Sequence, residues 1–271
     1  MTTTSNNPVR IIQITDTHLY EEPEGTLARM NTQDSFRKVL DLVKTNEKEI
    51  DLILATGDIA QDASEDAYGY FMTAVGETGV PFRWIPGNHD IASVMEDVAE
   101  GTNACDKSTQ LGNWLILTLD SSIVGQVHGR LDPEEIEFLK SSLSAATTSS
   151  EIENILITLH HNPVPGTAGW MKDIGLENPS ELFDALKMTD KVRGVLYAHI
   201  HQELDFNLQN IRYMCTPSTC IQFKPQVTNF TLDRLNPGYR SLQLFADGKI
   251  ETAVFRVTGF DLEADFSSAG Y

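Results

Sequence analysis

Five short apolar runs, rich in β-branched residues, each end in a patch of Asp, Asn or His side chains. Each run has the length and composition of a buried strand. In an α/β sheet the loops at the carboxyl ends of the strands converge on the ligand, so we expect the five patches to meet in space. The runs are Ile11-Ile12-Gln13-Ile14, Leu52-Ile53-Leu54-Ala55, Phe82-Arg83-Trp84-Ile85, Ile155-Leu156-Ile157-Thr158-Leu159 and Val195-Leu196-Tyr197.

The side chains in these patches are those of a metal site. Asp, Asn and His offer oxygen and nitrogen ligands, which favour Mn²⁺ or Fe, with Zn²⁺ as a further option. The patches are Asp16-Thr17-His18, Gly57-Asp58, Gly87-Asn88-His89-Asp90, His160-His161 and His199-Ile200-His201.

The spacing inside the patches predicts two metal ions. Asp16 and His18 are two residues apart, so on an extended chain their side chains point the same way. A carboxylate has two oxygens to share, which makes Asp58 the natural bridge between two cations, and the glycine before it lets the backbone turn tightly. The His199-x-His201 pair repeats the first spacing, and two adjacent coordination spheres are completed by Asn88 and His160.

Amphipathic helical stretches alternate with the strands as far as Tyr197, which indicates an α/β fold with helices packed on sheets. Thr32 is predicted to cap the first helix, and Asp132 the third, where Glu135 would close a capping box. After His201 the pattern changes to short strands and a hairpin signal, Ala246-Asp247-Gly248-Lys249. The predicted strands are Leu204 to Asn207, Ile211 to Met214, Ser241 to Phe245 and Ile250 to Arg256.

Composition narrows the class of protein. A chain of 271 residues fits one large α/β domain, 1–271, better than two small ones. The formal net charge of −19 argues against a nucleic-acid groove or an anionic membrane surface, because both need clustered Lys and Arg. The cysteines are odd in number and lack CxxC spacing, which disfavours a disulfide framework or a thiolate zinc site. They are Cys105, Cys215 and Cys220.

The start of the chain, Met1 to Pro8, lacks the apolar core of a signal peptide. No apolar run approaches the ~20 residues of a membrane span. We therefore expect a cytoplasmic protein with no membrane or nucleic-acid partner, and the sequence leaves its oligomeric state open.

The order D-x-H, GD, GNH[DE], H and finally G-H-x-H, from about Arg10 to His201, resembles that of the calcineurin-like metallophosphoesterases. Within that superfamily the chain is most similar to the bacterial class III 3′,5′-cyclic AMP phosphodiesterases, and this resemblance covers nearly the whole chain. The stretches that carry it are Gln13 to Leu19, Ala55 to Asp62 and Thr216 to Pro225.

The resemblance implies a four-layer αββα sandwich of two mixed sheets flanked by helices. Along the chain we expect a core at about 10–201, a β-rich part at about 202–257 and a loose tail at about 258–271. It implies that Asp58 is shared by two metals. The other ligands of metal 1 would be Asp16, His18 and His201, and those of metal 2 would be Asn88, His160 and His199.

One departure from the family pattern lies next to two of these ligands, where Ala198 replaces the glycine of G-H-x-H. If that position has a positive φ, alanine is strained there and glycine would relieve the strain. If its φ is ordinary, alanine is simply tolerated.

Two further residues of the third patch are candidates for catalysis. His89 follows a predicted ligand, and we expect it to donate a proton to the leaving oxygen. The alternative is that His89 is a buried core histidine. Asp90 would either orient that imidazole or cap the following helix. His161 is read as a neighbour of the ligands rather than a ligand.

The substrate pocket is the least constrained part of the sequence. Asn88 and His89 would reach the substrate from the metal side, and His128 with Arg130 would contact its phosphate unless they form a simple turn. Gln222 and Phe223 would line the base pocket, with structural packing as an equal interpretation. Trp170 would pack in the fold or stack on a base.

We therefore expect a binuclear-metal phosphodiesterase that hydrolyses 3′,5′-cyclic AMP to 5′-AMP by attack of a hydroxide that bridges the metals. A first alternative is a broad metallophosphoesterase acting on 2′,3′-cyclic nucleotides, open diesters or monoesters. A second is a catalytically silent binding module on the same fold, which the intact ligand set disfavours.

Overall fold

The predicted apolar runs form strands in the computed structural model, which describes residues 7–259, 263–268 and 270. In chain order the strands are β1 (Val9–Ile14), β2 (Thr26–Leu27), β3 (Met30–Asn31), β4 (Leu52–Ala55), β5 (Phe82–Trp84), β6 (Ser108–Leu111), β7 (Trp114–Leu119), β8 (Asn154–Leu159), β9 (Val192–Tyr197), β10 (Leu204–Leu208), β11 (Ile211–Cys215), β12 (Gln222–Phe223), β13 (Leu232–Asp233), β14 (Gly238–Leu244) and β15 (Ile250–Arg256).

The helices alternate with the strands only in the first two thirds of the chain. They are α1 (Thr32–Asn46), α2 (Glu65–Gly76), α3 (Ala92–Val98), α4 (Pro133–Thr148) and α5 (Pro179–Leu186), with a 3₁₀ turn at Gly169–Met171.

The long strands build two mixed sheets. The first has five strands in the order β15-β14-β1-β4-β5, and the second has six in the order β10-β11-β9-β8-β7-β6. In the first sheet β1, β4 and β5 run parallel, so the loops after them leave from the same edge. In the second sheet β8 and β9 are parallel neighbours, and their loops also leave together. The C-terminal strands complete both sheets, because β14 pairs with β1 and β11 pairs with β9.

The two sheets pack face to face. Side chains that alternate along each strand divide between an inner and an outer face. Ile11 and Leu54 of the first sheet share a buried cluster with Trp114 and Leu156 of the second. The outer face of the first sheet packs on α1, α2 and α3, and that of the second on α4 and α5. This α/β sandwich, with its αββα layering, confirms the predicted fold class.

A buried guanidinium joins the two sheets close to the edge from which the polar loops leave. Arg240 of β14 is 2% exposed and donates hydrogen bonds to the carbonyl oxygens of Cys215 at 2.7 Å and Leu204 at 3.2 Å. Those acceptors belong to the second sheet. The cation is thus satisfied by neutral acceptors and fixes the segment that leads to Thr216.

Of the two predicted N-cap residues, Asp132 is confirmed in position without the predicted capping box, and Thr32 is wrong. Helix α1 is capped by Asn31, whose side chain accepts a hydrogen bond from the Asp34 N–H, and Thr32 is already its first helical residue. Helix α4 has Asp132 at its N-cap position but no side-chain hydrogen bond there. Glu135 forms an ion pair with Lys107 instead of closing a capping box.

The C-terminal region contains the predicted hairpin, whereas the predicted loose tail lies partly outside the described residues, at 260–262, 269 and 271. Strands β14 and β15 are antiparallel, and Gly248 takes the left-handed conformation, φ 88°, in the turn between them. The tail contacts the body through residues 263–268: the Asp265 N–H donates to the Ala28 carbonyl at 2.7 Å, and Arg234 lies 4.0 Å from the Phe266 ring centroid.

Two further expectations concern the chain as a whole. All three cysteines are free thiols, as their number and spacing predicted. Across the described residues, no helix combines the length and the apolar character that a bilayer crossing requires.

Candidate metal centre

The five polar patches meet at one edge of the sandwich, where the loops after β1, β4, β5, β8 and β9 leave the two sheets. Within each of several groups of these residues, the potential ligand atoms lie within 4.8 Å of one another. The groups are Asp16, His18 and His201; His18, Asp58 and His89; Asp16, Asp58 and His160; and His160, His161 and His199.

One half of the centre is formed by Asp16, His18 and His201. The Nε2 atom of His201 lies 3.2 Å from Asp16 Oδ1 and 3.2 Å from His18 Nε2. All three side chains are buried. The patches after β1 and β9 therefore supply one compact set of donors from two different sheets.

Asp58 lies between the two halves. Its Oδ2 atom is 3.9 Å from His18 Nε2 on one side and 3.4 Å from His160 Nε2 on the other. Its Oδ1 atom accepts a hydrogen bond from the His89 backbone N–H at 2.9 Å. One carboxylate thus faces both groups of imidazoles.

The second half contains His160 and His199, whose ring centroids are 5.1 Å apart. His161 lies beside them, 4.8 Å from the His199 ring, and its Nδ1 contacts Ser121 Oγ at 2.8 Å. Asn88 is half-buried, and its Oδ1 atom is inaccessible to solvent.

Three imidazoles are fixed in the same tautomer. The Nδ1 atoms of His160 and His201 lie 2.8 Å from the carbonyl oxygens of Thr56 and Ile221, and a carbonyl oxygen only accepts. Each Nδ1 therefore carries the proton, which leaves the Nε2 lone pair for a cation. The Nδ1 of His18 lies 2.6 Å from Gln61 Oε1. Gln61 was not singled out from the sequence, although it lies within the Ala55 to Asp62 stretch.

The donor set fits divalent cations. Both carboxylate oxygens of Asp16 are buried without a hydrogen-bond partner, and so are Asn88 Oδ1, His160 Nε2 and His199 Nε2. Each such atom costs about 1–3 kcal/mol when left unsatisfied. Two Nε2 lone pairs 3.2 Å apart, on His18 and His201, also repel unless a positive charge lies near them. Hard and borderline oxygen and nitrogen donors are those that Mn²⁺, Fe and Zn²⁺ bind.

Burial sets the charge of His18 and His199, and the interaction between Asp58 and His160 sets the charge of that pair. Burial lowers the pKa of His18 and of His199 to about 3, so both rings are neutral at neutral pH. Burial acts in the same direction on His160, but the adjacent Asp58 carboxylate outweighs it and raises the pKa of His160 to about 9. Burial opposes the ionisation of Asp58, yet His160 outweighs it and holds the pKa of that carboxyl well below its usual range.

Five of the converging residues have a left-handed backbone, which residues other than glycine seldom adopt. The φ angles are 52° for Asp16, 46° for His18, 48° for Asp58, 71° for His199 and 45° for His201. Each costs roughly 1–2 kcal/mol relative to an ordinary conformation. No pattern in the sequence indicated these angles.

The Ala198 position has no such strain. Its φ is not among the positive values, and the left-handed residues are its neighbour His199 and His201. The expectation of strain at alanine is therefore wrong, and the alternative of an ordinary backbone holds.

Ala198→Gly is accordingly expected to be neutral or to destabilise the fold by about 0.4–1 kcal/mol, because glycine adds freedom to the unfolded chain. Denaturant unfolding of the metal-free protein measures this. A stability gain from glycine would contradict the ordinary backbone at this position.

Two glycines allow the loops to approach one another. Gly57 has φ 95°, as expected for the tight turn before Asp58, and a Cβ there would lie 2.5 Å from His160 Nδ1. A Cβ at Gly87 would collide with the side chain of Asp58. The backbone of the loop after β5 thus packs directly on the side chain of Asp58, which belongs to the loop after β4.

Asp90 ties these same loops together. Its carboxylate accepts hydrogen bonds from the backbone N–H groups of Gly87 at 2.8 Å, Ile59 at 3.1 Å and Ala60 at 2.9 Å, and from the Tyr68 hydroxyl at 3.1 Å. Burial and the nearby Asp58 raise its pKa to about 6, while the backbone donors act in the opposite direction. The N-cap position of helix α3 is occupied by Ile91, and no side chain caps this helix, so the capping interpretation of Asp90 is wrong. These contacts support a positioning role, and direct catalysis by Asp90 stays a prediction.

Asp90→Ala is expected to lower the free energy of unfolding by about 3 kcal/mol or more, because it leaves three buried backbone donors unsatisfied. Thermal and denaturant unfolding check this, with Asp97→Ala on the exposed face of α3 as the matched control. Equal stability of the two variants would contradict the role of Asp90.

His128 and Arg130 flank Gly129, which lies directly against the His161 ring, because a Cβ at Gly129 would fall 2.2 Å from His161 Nδ1. His128 Nε2 is 3.4 Å from Glu177, and Arg130 forms ion pairs with Glu177 and Glu181. His128 also lines a pocket of about 470 Å³ together with Asn162 and Lys172. Both side chains thus face acidic groups, and His128 also borders the pocket.

The side chains of Gln222 and Phe223 are buried and make their contacts inside the protein. The Gln222 amide donates to the carbonyl oxygens of Ser218 and Cys220 at 2.8 and 3.2 Å. Phe223 is 2% exposed and packs against Trp170, whose ring centroid is 5.2 Å away. These contacts favour the packing interpretation of all three residues, and their contact with substrate stays a prediction.

Comparisons with known proteins agree with this architecture. The model of the calcineurin-like phosphoesterase family matches residues 9–203. The 3′,5′-cyclic adenosine monophosphate phosphodiesterase CpdA of Pseudomonas aeruginosa is 41% identical over 98% of each chain. CpdA of Escherichia coli K12 is 40% identical over 97% of this chain and 95% of its own. A dimetal phosphatase from Danio rerio, at 14% identity, has the same fold with a TM-score of 0.62 over 93% of this chain and all of its own. This chain is a member of the calcineurin-like phosphoesterase family.

Proposed function

We propose that this chain is a metal-dependent phosphodiesterase that hydrolyses 3′,5′-cyclic AMP to 5′-AMP. The substrate assignment rests on the 41% identity, over 98% of both chains, to a protein that is named for this activity. The reaction class rests on the buried donor cluster, which suits cations that act on phosphoryl groups.

We assign the ligands of two cations as the sequence predicted. Asp58 would be shared, which its central position between His18 and His160 supports. One cation would be held by Asp16, His18, Asp58 and His201, and the other by Asp58, Asn88, His160 and His199. Mn²⁺ or Fe remains the preferred identity of the ions, with Zn²⁺ possible in the same donor set.

When bound, two such cations supply charge that stabilises the phosphoryl oxygens and lower the pKa of water at the site. The protein supplies the rigid frame. His160 and His201 are held by backbone carbonyls and His18 by Gln61, so their Nε2 atoms are aimed before a ligand arrives. Preorganised donors of this kind need no rearrangement during the reaction.

His89 is proposed as the proton donor to the departing 3′-oxygen. It is half-buried, unlike its neighbour His18, whose ring lies 5.1 Å away at 76°. Its backbone N–H donates to Asp58, so the half-buried imidazole extends from a fixed point beside the cluster. An alkoxide leaves poorly without a proton, and an imidazole is the group most often used to deliver one.

The pocket that His128 lines is the proposed place for the nucleoside. Its volume of about 470 Å³ is within the range of small-molecule sites. Asn88 and His89 would contact the phosphate. A net charge of −19 disfavours a polyanionic substrate, while a single small phosphate can still be drawn to two cations. The free thiols support the proposal of a cytoplasmic enzyme.

The test is product analysis with the Mn²⁺-loaded protein. We expect 3′,5′-cyclic AMP to yield 5′-AMP with at most a trace of 3′-AMP, and DNA and RNA to stay uncut. Parallel assays with 2′,3′-cyclic AMP, a bis-nitrophenyl diester and a nitrophenyl monoester measure selectivity. A strong preference for one of these three would overturn the cyclic AMP assignment and leave a broad phosphoesterase. Inactivity on all of them, with metal bound, would favour the binding module.

A further inference from the structure

The imidazole of His201 lies flat against the ring of Phe223. The two ring centroids are 4.1 Å apart and the planes differ by 9°. Both side chains are buried, and the His201 Nδ1 atom is bonded to the Ile221 carbonyl two residues before Phe223. One short segment therefore controls the imidazole in two ways: the carbonyl selects the tautomer, and the aromatic face restricts rotation of the ring.

Two further aromatic side chains pack against Phe223 and hold it in place. The edges of Trp170 and Phe230 pack on it, with centroids 5.2 and 5.4 Å away, and those two rings contact each other at 5.1 Å. Their loops are joined by the hydrogen bond from the Gly169 N–H to the Val227 carbonyl, 2.8 Å long. The aromatic cluster of Trp170, Phe223 and Phe230 thus leaves Phe223 no room to move away from His201.

We propose that Phe223 is a positioning residue that sets the affinity of one cation only, the one assigned to His201. The proposal rests on the metal assignment made under the proposed function. Nε2 of His201 is 3.2 Å from both Asp16 Oδ1 and His18 Nε2, so a small rotation of the ring misplaces one donor of that group. The donors in the other half, His160 and His199, are ordered by other contacts, including the Thr56 carbonyl.

The effect is measured by calorimetric titration of Mn²⁺ into the metal-free full-length protein, fitted to two sites. Phe223→Leu should weaken one of the two affinities by about 10- to 100-fold, the usual size of such indirect effects, and leave the other unchanged. Phe223→Tyr keeps the aromatic face and should retain both affinities. The matched control is Phe36→Leu, since Phe36 is equally buried and stacks on Phe71 at 5.3 Å, in the helical layer.

Phe36→Leu should lower the melting temperature and leave both Mn²⁺ affinities unchanged. If Phe223→Leu does not fold, Phe223→Met, which fills more of the space without a flat face, takes its place. Unchanged affinities in the Phe223 variant, equal loss at both sites, or the same loss in Phe36→Leu would overturn the proposal. A wild-type protein that binds no Mn²⁺ would overturn the metal assignment itself. Inactivity on cyclic AMP with two Mn²⁺ bound would overturn the proposed substrate alone.

Discussion

Asp58→Ala is expected to lower the rate of 3′,5′-cyclic AMP hydrolysis by about 10³-fold or more and to remove tight binding of both cations. The reason is the central position of the carboxylate, whose Oδ2 atom faces His18 and His160 at 3.9 and 3.4 Å. His201→Ala, by contrast, removes a donor from one half of the centre and should chiefly weaken one cation. Metal counting after dialysis, together with initial rates, distinguishes the two variants.

Asp58→Asn removes the negative charge of Asp58 but keeps its hydrogen bond, because an amide oxygen still accepts from the His89 N–H. We expect it to lose the metals while keeping that loop in place. Asp34→Asn is the control for loss of a carboxylate, because the Asp34 side chain is exposed and pairs with Lys38 on α1. An Asp58→Ala protein that retained two ions and full activity would remove the bridging assignment.

His89→Ala is expected to slow cyclic AMP hydrolysis by about 10²- to 10⁴-fold and to affect an activated nitrophenyl diester much less. A ribose alkoxide needs a proton to leave, whereas a nitrophenolate departs without one. The alanine variant keeps the backbone N–H that holds Asp58, so the loss is that of the imidazole alone. Rates on both substrates, with metal content measured in the same samples, test this.

Metal content is the control that matters for His89. If His89→Ala bound fewer ions than the wild type, its defect would be one of assembly and not of proton transfer. Equal losses on the two substrates at full metal occupancy would mean that His89 places the phosphate instead.

The sandwich and the convergence of the five patches were predictable from local pattern. Runs such as Ile155 to Leu159 have the composition of buried strands, and parallel strands bring their carboxyl ends to one edge whatever the details of packing. Asp16, His18, Asp58, His160, His199 and His201 therefore lie together as expected. Helix α5 and strand β6 were not predicted, because the hydrophobic periodicity of a short helix or an edge strand is too weak to indicate its structure.

The contacts that orient the side chains of the cluster were not predictable in the same way. Phe223 packs on His201 and Asp90 bonds to Ile59 because of tertiary distances that no spacing along the chain encodes. The predicted N-cap of α1 is wrong by one residue. Asn31 and Thr32 both suit an N-cap position, and only the backbone conformation determines which of them occupies it. The contact of the tail with Ala28 depends on a surface built by distant residues, so no pattern within 263–268 indicates it.

Efforts to make this protein more thermostable should leave the ligand loops alone. Asp16, His18, Asp58, His199 and His201 have left-handed backbones, so glycine at any of them would relax the chain while deleting a donor atom. A selection for stability alone would therefore enrich variants that have discarded the centre. Resistance to heat has to be sought in the helices and distant loops, because five of the residues proposed to hold the cations also have a strained backbone.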